Sequence, residues 1–205
     1  MSNPPLTDEQ SELRAMVARL AEEVYEPVAQ EWDRDFTFLP VDERKRLADL
    51  GLLGVCLPAE QGGGGLDLYS ALIAIEEMAK RNQVAAFQIF EANTGPARVI
   101  DLLGTPEQKE RFLPPIARGE KTLALSISEA DAGSAATELK TVARLDGDSY
   151  VVDGTKRWCS GGGHAEQYLV YVRLDGAPGA KGVGSIVVDG DAEGVSYGPQ
   201  EQLLG

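Results

Sequence analysis

Two short segments contain most of the groups that could bind a cofactor: LALSISEADAGS, from Leu123 to Ser134, and GTKRWCSGGG, from Gly154 to Gly163. The first begins as an apolar run of high β-propensity and ends in small residues, which leave the backbone amides uncovered. Gly133 also permits backbone angles that most residues avoid. Uncovered amides of this kind suit a diphosphate group or the edge of a flavin.

The same segments carry hydroxyl groups and one large aromatic ring. Ser126, Ser128 and Ser134 provide hydroxyls that can donate or accept hydrogen bonds. Trp158 follows the strand-like run YVVDGTK, and a flat ring at this position is able to stack on a second flat ring. From the residues alone, two ordinary strand-to-turn transitions with a tryptophan in the core remain an equal alternative.

The two segments resemble the paired flavin-contacting signatures of the acyl-CoA dehydrogenase family, TEPxAGS and GxKxWITNGG. The resemblance extends in family order and spacing to LPAEQGGGGLD at Leu57–Asp67, IEEMAK at Ile75–Lys80 and LLGTPEQKERFLPPIARGEK at Leu102–Lys121. It therefore covers the chain from Thr7 to Gly205.

The chain departs from the family pattern at several positions of these signatures. Ala130 replaces the usual Pro, Ala135 replaces the Asp after AGS, and CSG at Cys159–Gly161 replaces ITN. None of these changes removes a backbone amide that the flavin would need, and Ser160 keeps the hydroxyl of the usual Thr.

The resemblance implies an FAD-dependent enzyme of fatty acid metabolism that oxidises an acyl-CoA thioester to the 2-enoyl-CoA. A carboxylate removes the α-proton while hydride passes to the flavin. Carried over position by position, the resemblance implies FAD contacts at Leu125, Ser126, Ile127, Ser128, Gly133, Ser134, Trp158, Cys159 and Ser160.

The resemblance also implies two substrate contacts. Ser134 is expected to contact coenzyme A as well as FAD, and Glu91 is expected in the wall of the acyl pocket. Phe87, Phe90 and Thr94 are further candidates for that wall, with plain core packing as the alternative for the two phenylalanines.

In the family, the catalytic glutamate lies in a C-terminal helical bundle. The resemblance therefore implies no catalytic residue in this chain and a base beyond Gly205, so we expect the 205-residue chain alone to be inactive. Either the chain is a portion of a longer enzyme, or it is a short protein that needs a partner chain. The implied partners are an acyl-CoA, an electron-transfer flavoprotein and further copies of the chain, in a dimer or a homotetramer.

Two other functions stay open. One is a non-catalytic flavin- or acyl-binding subunit of a mixed assembly. The other is a flavin monooxygenase built on the same fold.

Composition excludes several classes of function. The net charge of −14 disfavours nucleic acid, because phosphate binding needs a basic surface. The N-terminus has no signal-peptide pattern, and no apolar run approaches the roughly 20 residues of a membrane span, so we expect a cytoplasmic protein. Cys56, Cys159 and the single His164 have no metal-ligand spacing, and we therefore expect reduced thiols and no metal.

Helical patterns dominate the first part of the chain. A capping box at Thr7 opens a long helix that Pro27 bends or interrupts, and a second helix follows Pro40 and ends at Gly51.

A flexible connector at Gly62–Gly65 leads into a third helix from Asp67. Residues 84–103 predict one helix with a kink at Pro96, and Thr105 caps the next helix.

Beyond Gly119 the pattern changes to short β-branched or aromatic runs. These runs are Leu123–Ser128, Lys140–Leu145, Ser149–Val152, Tyr168–Leu174 and Gly184–Val188, with a hairpin turn at Asp146-Gly147-Asp148. We therefore predict an α+β protein with an all-α domain at residues 1–120 and a β-barrel or sandwich-like domain at 121–205, as in the family's N-terminal and middle domains. We expect the second domain to be incomplete at its C-terminus and the cofactor segments to lie at its edge.

Overall fold

The computed structural model describes residues 5–201 of the chain. Their contacts divide them into two compact units, one up to Thr122 and the other from Leu123 to Gln200. The first unit is helical and the second is built on a mixed sheet, which confirms the predicted α+β class. Across the described residues, no helix has both the length and the apolar character that crossing a membrane requires.

The helical unit opens on a long, nearly continuous helix. It consists of α1 (Asp8–Leu20), a π-helical turn (Ala21–Tyr25) and α2 (Glu26–Arg34). The predicted capping box is present, since Thr7 Oγ1 accepts from the Gln10 amide and Gln10 Oε1 accepts from the Thr7 amide, both at 3.1 Å. Pro27 lies in the first turn of α2, where its missing N–H is tolerated, and the wider turn before it is the predicted interruption.

The described chain then forms α3 (Val41–Asp49), α4 (Leu68–Ala79), α5 (Gln83–Asn93), α6 (Pro96–Leu103) and α7 (Pro106–Ala117). The prediction of one kinked helix over residues 84–103 is wrong, because the chain leaves the helical conformation between α5 and α6. The amides of Thr94 and Gly95 both donate to the Phe90 carbonyl, at 2.8 and 3.0 Å. The cause is Pro96, whose ring disfavours helical angles at the residue before it.

One fully buried amide lies among the apolar side chains of the helical unit. Asn93 Nδ2 donates to the carbonyls of Leu52 and Ile89 at 2.8 and 2.9 Å, and its Oδ1 accepts from the Cys56 amide at 3.2 Å. The largest buried side chains of this unit include Tyr25, Leu47, Leu53, Leu57, Met78, Leu113 and Ile116.

The glycine-rich connector is held by backbone hydrogen bonds. The amides of residues 63–66 each donate to a carbonyl of residues 54–58, at 2.7 to 3.1 Å. A Cβ at Gly63 would lie 2.2 Å from the Leu57 carbonyl oxygen. The segment is thus a connector between α3 and α4, as expected, and its amides have no donor left for a phosphate.

The second unit contains β1 (Leu123–Ser126), β2 (Val142–Asp146), β3 (Ser149–Asp153), β4 (Gln167–Leu174) and β5 (Val183–Asp189). Within the described residues these strands form one mixed sheet around β4. The antiparallel β5 pairs with one edge of β4, while β1 and β2 both pair in parallel with the other edge. The hairpin turn is confirmed, because Asp146 lies opposite Ser149 in the β2–β3 ladder.

Candidate functional site

The first predicted segment lies where β4 changes its pairing partner. β1 pairs with Gln167–Val170, and β2 pairs further along the same edge with Arg173 and Leu174. Between these two strands, residues 127–141 leave the sheet and return to it, and we name them the signature loop. This loop begins where the β-prone run ends and small and charged residues take over.

Residues 154–161, which we name the crossing segment, lie directly against β1 and the end of the signature loop. Glycines allow this approach at both of its ends. A Cβ at Gly154 would lie 2.4 Å from Thr141 Oγ1, and a Cβ at Gly161 would lie 2.6 Å from Ala124 Cβ. A larger residue at either position would push the crossing segment away from the sheet.

Two hydrogen bonds hold the middle of the crossing segment. The Arg157 amide donates to the Ser128 carbonyl at 2.8 Å, and Lys156 Nζ donates to the Ile127 carbonyl at 2.9 Å. Ile127 and Ser128 are both half-buried. The two predicted segments are therefore neighbours in space, with their backbones bonded side by side.

Trp158 follows these two bonds directly and has an unusual backbone. Its φ is 61°, in the left-handed region that non-glycine residues rarely adopt, at a cost of about 1–3 kcal/mol. Its side chain is 63% exposed. The alternative of a core tryptophan is therefore wrong, and the chain holds a large aromatic ring at the surface in a conformation that costs free energy.

A buried ion pair lies beneath the signature loop. Lys156 Nζ and Glu129 Oε1 are 2.9 Å apart, and the two side chains are 10% and 8% exposed. Glu129 also accepts from the amides of Lys140 and Thr141, at 2.6 and 2.9 Å, and from Thr141 Oγ1 at 2.6 Å. The carboxylate thus bonds the start of the signature loop to its end.

The surroundings of this pair shift the pKa of both side chains. Burial raises the pKa of Glu129, but the hydrogen bonds from Thr141, Lys140 and Lys156 outweigh it and bring the pKa to about 2. Burial lowers the pKa of Lys156, and Glu129 offsets part of that effect.

Gly133 and Ser134 lie on the exposed part of the signature loop. They follow a turn in which the Glu129 amide donates to the Ala132 carbonyl at 3.0 Å and the Ala132 amide donates back at 3.3 Å. The Ser134 hydroxyl is thus presented at the surface.

The remaining predicted cofactor contacts differ in exposure. Leu125 and Cys159 are half-buried, Ser126 is buried and Ser160 is exposed. Cys159 packs against a small apolar cluster formed by Ala124, Ala165 and Tyr168. Within residues 5–201 neither cysteine forms a disulfide, and no three His, Cys, Asp or Glu side chains come together to hold a metal ion.

The predicted wall residues lie in and just after α5 of the helical unit. Glu91 is buried, at 6% exposure, whereas Phe87 and Phe90 are 38% and 36% exposed. The two phenylalanine rings pack with their centroids 5.5 Å apart. Thr94 Oγ1 donates to the Phe90 carbonyl at 3.1 Å.

Sequence reasoning missed Glu129 and Lys156, although both lie inside the two segments that it selected. A signal was available, because Glu129 and Lys156 occupy the Glu and Lys positions of the two signatures TEPxAGS and GxKxWITNGG, and their charges are opposite. The glycines at positions 154 and 161 gave no such signal, since only the packing reveals the close approach.

The sequences of the two units match two domains of one known family. Residues 7–120 match the description "Acyl-CoA dehydrogenase, N-terminal domain", and residues 124–205 match "Acyl-CoA dehydrogenase, middle domain". The chain belongs to the acyl-CoA dehydrogenase family.

Curated relatives include enzymes of both oxidation and reduction. Isobutyryl-CoA dehydrogenase of Dictyostelium discoideum is 36% identical over 98% of this chain and 48% of its own length. The 3-(aryl)acrylate reductase of Clostridium sporogenes is 37% identical over 96% of this chain and 52% of its own length. The chain thus spans about half the length of these relatives.

Solved structures of similar fold include two acyl-CoA dehydrogenases. Butyryl-CoA dehydrogenase of Megasphaera elsdenii matches with a TM-score of 0.89 and 28% identity, over 98% of this chain and 53% of its own. A glutaryl-CoA dehydrogenase of Mycobacterium smegmatis in complex with FADH2 matches with a TM-score of 0.83 and 25% identity, over 92% and 47%.

Proposed function

We propose that this chain contributes the helical domain (residues 1–120) and the β-domain (residues 121–205) of an FAD-dependent acyl-CoA dehydrogenase. The reaction is oxidation of an acyl-CoA thioester to the 2-enoyl-CoA. The observation that carries the proposal is Trp158, an exposed ring in a left-handed conformation that is bonded in place beside the end of β1.

The residues present fit FAD. An exposed flat ring and exposed small residues suit a flat, phosphate-bearing cofactor, and a relative of similar fold was solved with FADH2. The proposed contacts are Leu125, Ser126, Ile127, Ser128, Gly133, Ser134, Trp158, Cys159 and Ser160. FAD, when bound, supplies the acceptor for the hydride.

In this proposal, the chain's own residues bind FAD and orient it. The backbone at Ile127 and Ser128 is held by the crossing segment and offers polar groups of fixed direction. With FAD bound, Trp158 would lie against the flavin and would exclude water from it. We assign Ser134 to the cofactors' remote polar groups and Glu91 to the acyl pocket, and we assign no catalytic base among residues 1–205.

We propose an acyl-CoA as substrate, an electron-transfer flavoprotein as electron acceptor, a cytoplasmic location and a homo-oligomeric enzyme, a dimer or a tetramer. An α-hydrogen beside a thioester is only weakly acidic, so the complete site must also stabilise the developing negative charge on the carbonyl oxygen.

The test is flavin binding by the full-length protein. The purified protein should be yellow, and Trp158→Ala should weaken flavin retention, whereas Trp32→Phe in the helical unit should not. A colourless protein that cannot be reconstituted with FAD would reject the proposal.

A second candidate is reduction of a conjugated double bond, the reverse direction. The 37% identity to a 3-(aryl)acrylate reductase favours it. Anaerobic assays of both directions, with an acyl-CoA and with an enoyl substrate, separate the two. Rapid reoxidation of the reduced flavin by oxygen, with product oxygenation, would indicate a monooxygenase, and flavin binding without turnover in either direction would indicate a non-catalytic subunit.

A further inference from the structure

The signature loop carries two lysine–carboxylate pairs of similar length and opposite exposure. Lys140 Nζ and Asp131 Oδ2 are 3.0 Å apart, with side chains 74% and 75% exposed. Lys156 Nζ and Glu129 Oε1 are 2.9 Å apart, with side chains 10% and 8% exposed. The first pair is of the kind that contributes little, because water screens it.

The buried pair needs a different explanation. Removing two charges from water costs about as much as their attraction returns, so a buried ion pair is weak evidence for stability. Its bonds instead join separate stretches of backbone. Lys156 bonds Ile127 at the end of β1, and Glu129 bonds Lys140 and Thr141 where the signature loop returns to the sheet.

Lys156 of this pair lies two residues before Trp158. A left-handed non-glycine residue persists only where its surroundings hold the backbone on both sides. Lys156 and Arg157 are bonded to Ile127 and Ser128 on one side, and Gly161 packs on Ala124 on the other. If Lys156 is replaced, its bonds to Ile127 and Glu129 are lost. Among the described residues, the bond from the Arg157 amide to the Ser128 carbonyl would then be the only hydrogen bond left between the signature loop and the segment just before Trp158.

We infer that Glu129 and Lys156 are positioning residues: their ion pair closes the signature loop against the crossing segment and so sets the orientation of Trp158 and of the Ile127–Ser128 backbone toward the cofactor. For the identity of the cofactor, the inference rests on the proposed function. The placement of Trp158 does not depend on it.

The test compares two double variants of the full-length protein. Glu129→Gln/Lys156→Met removes the buried pair without leaving an unpaired buried charge. Asp131→Asn/Lys140→Met removes the exposed pair of the same loop and is the matched control. Each protein is labelled with 5-fluorotryptophan, and the resonance that Trp158→Phe removes is assigned to Trp158.

Three measurements are made on each protein: the ¹⁹F resonance of Trp158 without flavin, the dissociation constant for added FAD, and the thermal midpoint. We expect the buried-pair variant to stay folded with a lower midpoint than the wild type, because it loses hydrogen bonds to Thr141 and Ile127, and the other two measurements are made well below that midpoint. Its Trp158 resonance should shift or broaden, and its dissociation constant for FAD should rise roughly tenfold or more. The control should match the wild type in all three.

An unchanged Trp158 resonance in the buried-pair variant overturns the inference, whatever happens to FAD affinity. So does a loss of FAD affinity that the unfolded fraction of the variant fully accounts for. If the wild type binds no FAD, the proposed function fails, while a shifted Trp158 resonance still supports the positioning role.

Discussion

The Arg157 amide donates a 2.8 Å hydrogen bond to the Ser128 carbonyl, which brings together two segments that are 29 residues apart in the chain. The residue after Arg157 is Trp158, with its left-handed backbone and its exposed ring. This bond therefore joins the end of β1 to the residue on which the proposed flavin site most depends.

Trp158→Gly should separate stability from binding. Glycine adopts a φ of 61° without the steric cost that Trp158 bears, so the thermal midpoint should stay level or rise by a few degrees, on the order of 1 kcal/mol. FAD affinity should fall because the ring is lost. Trp158→Ala is the matched control, since it loses the ring but keeps the strained backbone. A clear drop in the midpoint of Trp158→Gly would mean that the ring stabilises the fold.

Glu129 should make the sheet unit sensitive to acid. Its folded pKa of about 2 lies below its ordinary value of 4.5, so its contribution is present above pH 4.5 and is lost as the pH falls toward 2. The shift corresponds to a contribution on the order of 3 kcal/mol to the free energy of unfolding. Urea unfolding, followed by tryptophan fluorescence in a Trp32→Phe background, should show a flatter acid dependence for Glu129→Gln. Glu138→Gln, an exposed carboxylate nearby, should behave like the wild type; equal slopes for all three would exclude this role for Glu129.

Ser134→Ala should affect substrate affinity more than turnover. The hydroxyl is exposed on the signature loop, and loss of one neutral hydrogen bond costs about 0.5–1.5 kcal/mol. Because the contact would be similar in ground and transition states, KM should rise several-fold with kcat little changed. Steady-state kinetics of the full-length variant test this, with Ser185→Ala as an exposed serine control. An unchanged KM with a lowered thermal midpoint would make Ser134 a turn residue only.

Asn93→Ala should destabilise the helical unit. The substitution leaves the Cys56 amide and the Leu52 carbonyl without their buried partner, at a cost of about 2–4 kcal/mol in free energy of unfolding. Gln83→Ala, at the exposed start of α5, is the control. Denaturant unfolding measures both, and equal stability of the two variants would contradict the role of the Asn93 bonds.

The 205-residue chain by itself should not turn over any acyl-CoA with an artificial electron acceptor, because we assign no base within it. The full-length protein, assayed beside it, is the control. Turnover by the shorter chain would place the base among these residues, and Glu91 would then be the first carboxylate to substitute.

Several features were predictable because they depend on local chemistry. The Thr7 capping box, the end of α3 before Gly51 and the hairpin turn at Gly147 each follow from residues a few positions apart. The two cofactor segments were recognisable for the same reason, since a β-prone run that ends in small residues is a local pattern. The break between α5 and α6 was also local, but a kink and a break at Pro96 have the same sequence signal.

Only the tertiary structure decided what lies against what. The chain alone does not indicate that Lys156 bonds Ile127 and Glu129, that Gly154 packs on Thr141, or that Trp158 is exposed and left-handed. Each of these depends on β1 and β2 pairing with the same edge of β4, a non-local register that no short pattern encodes. Residue types limit which hydrogen bonds and close contacts are possible, but strand pairing between distant segments determines which of them form, because it alone brings the partners within a few ångströms.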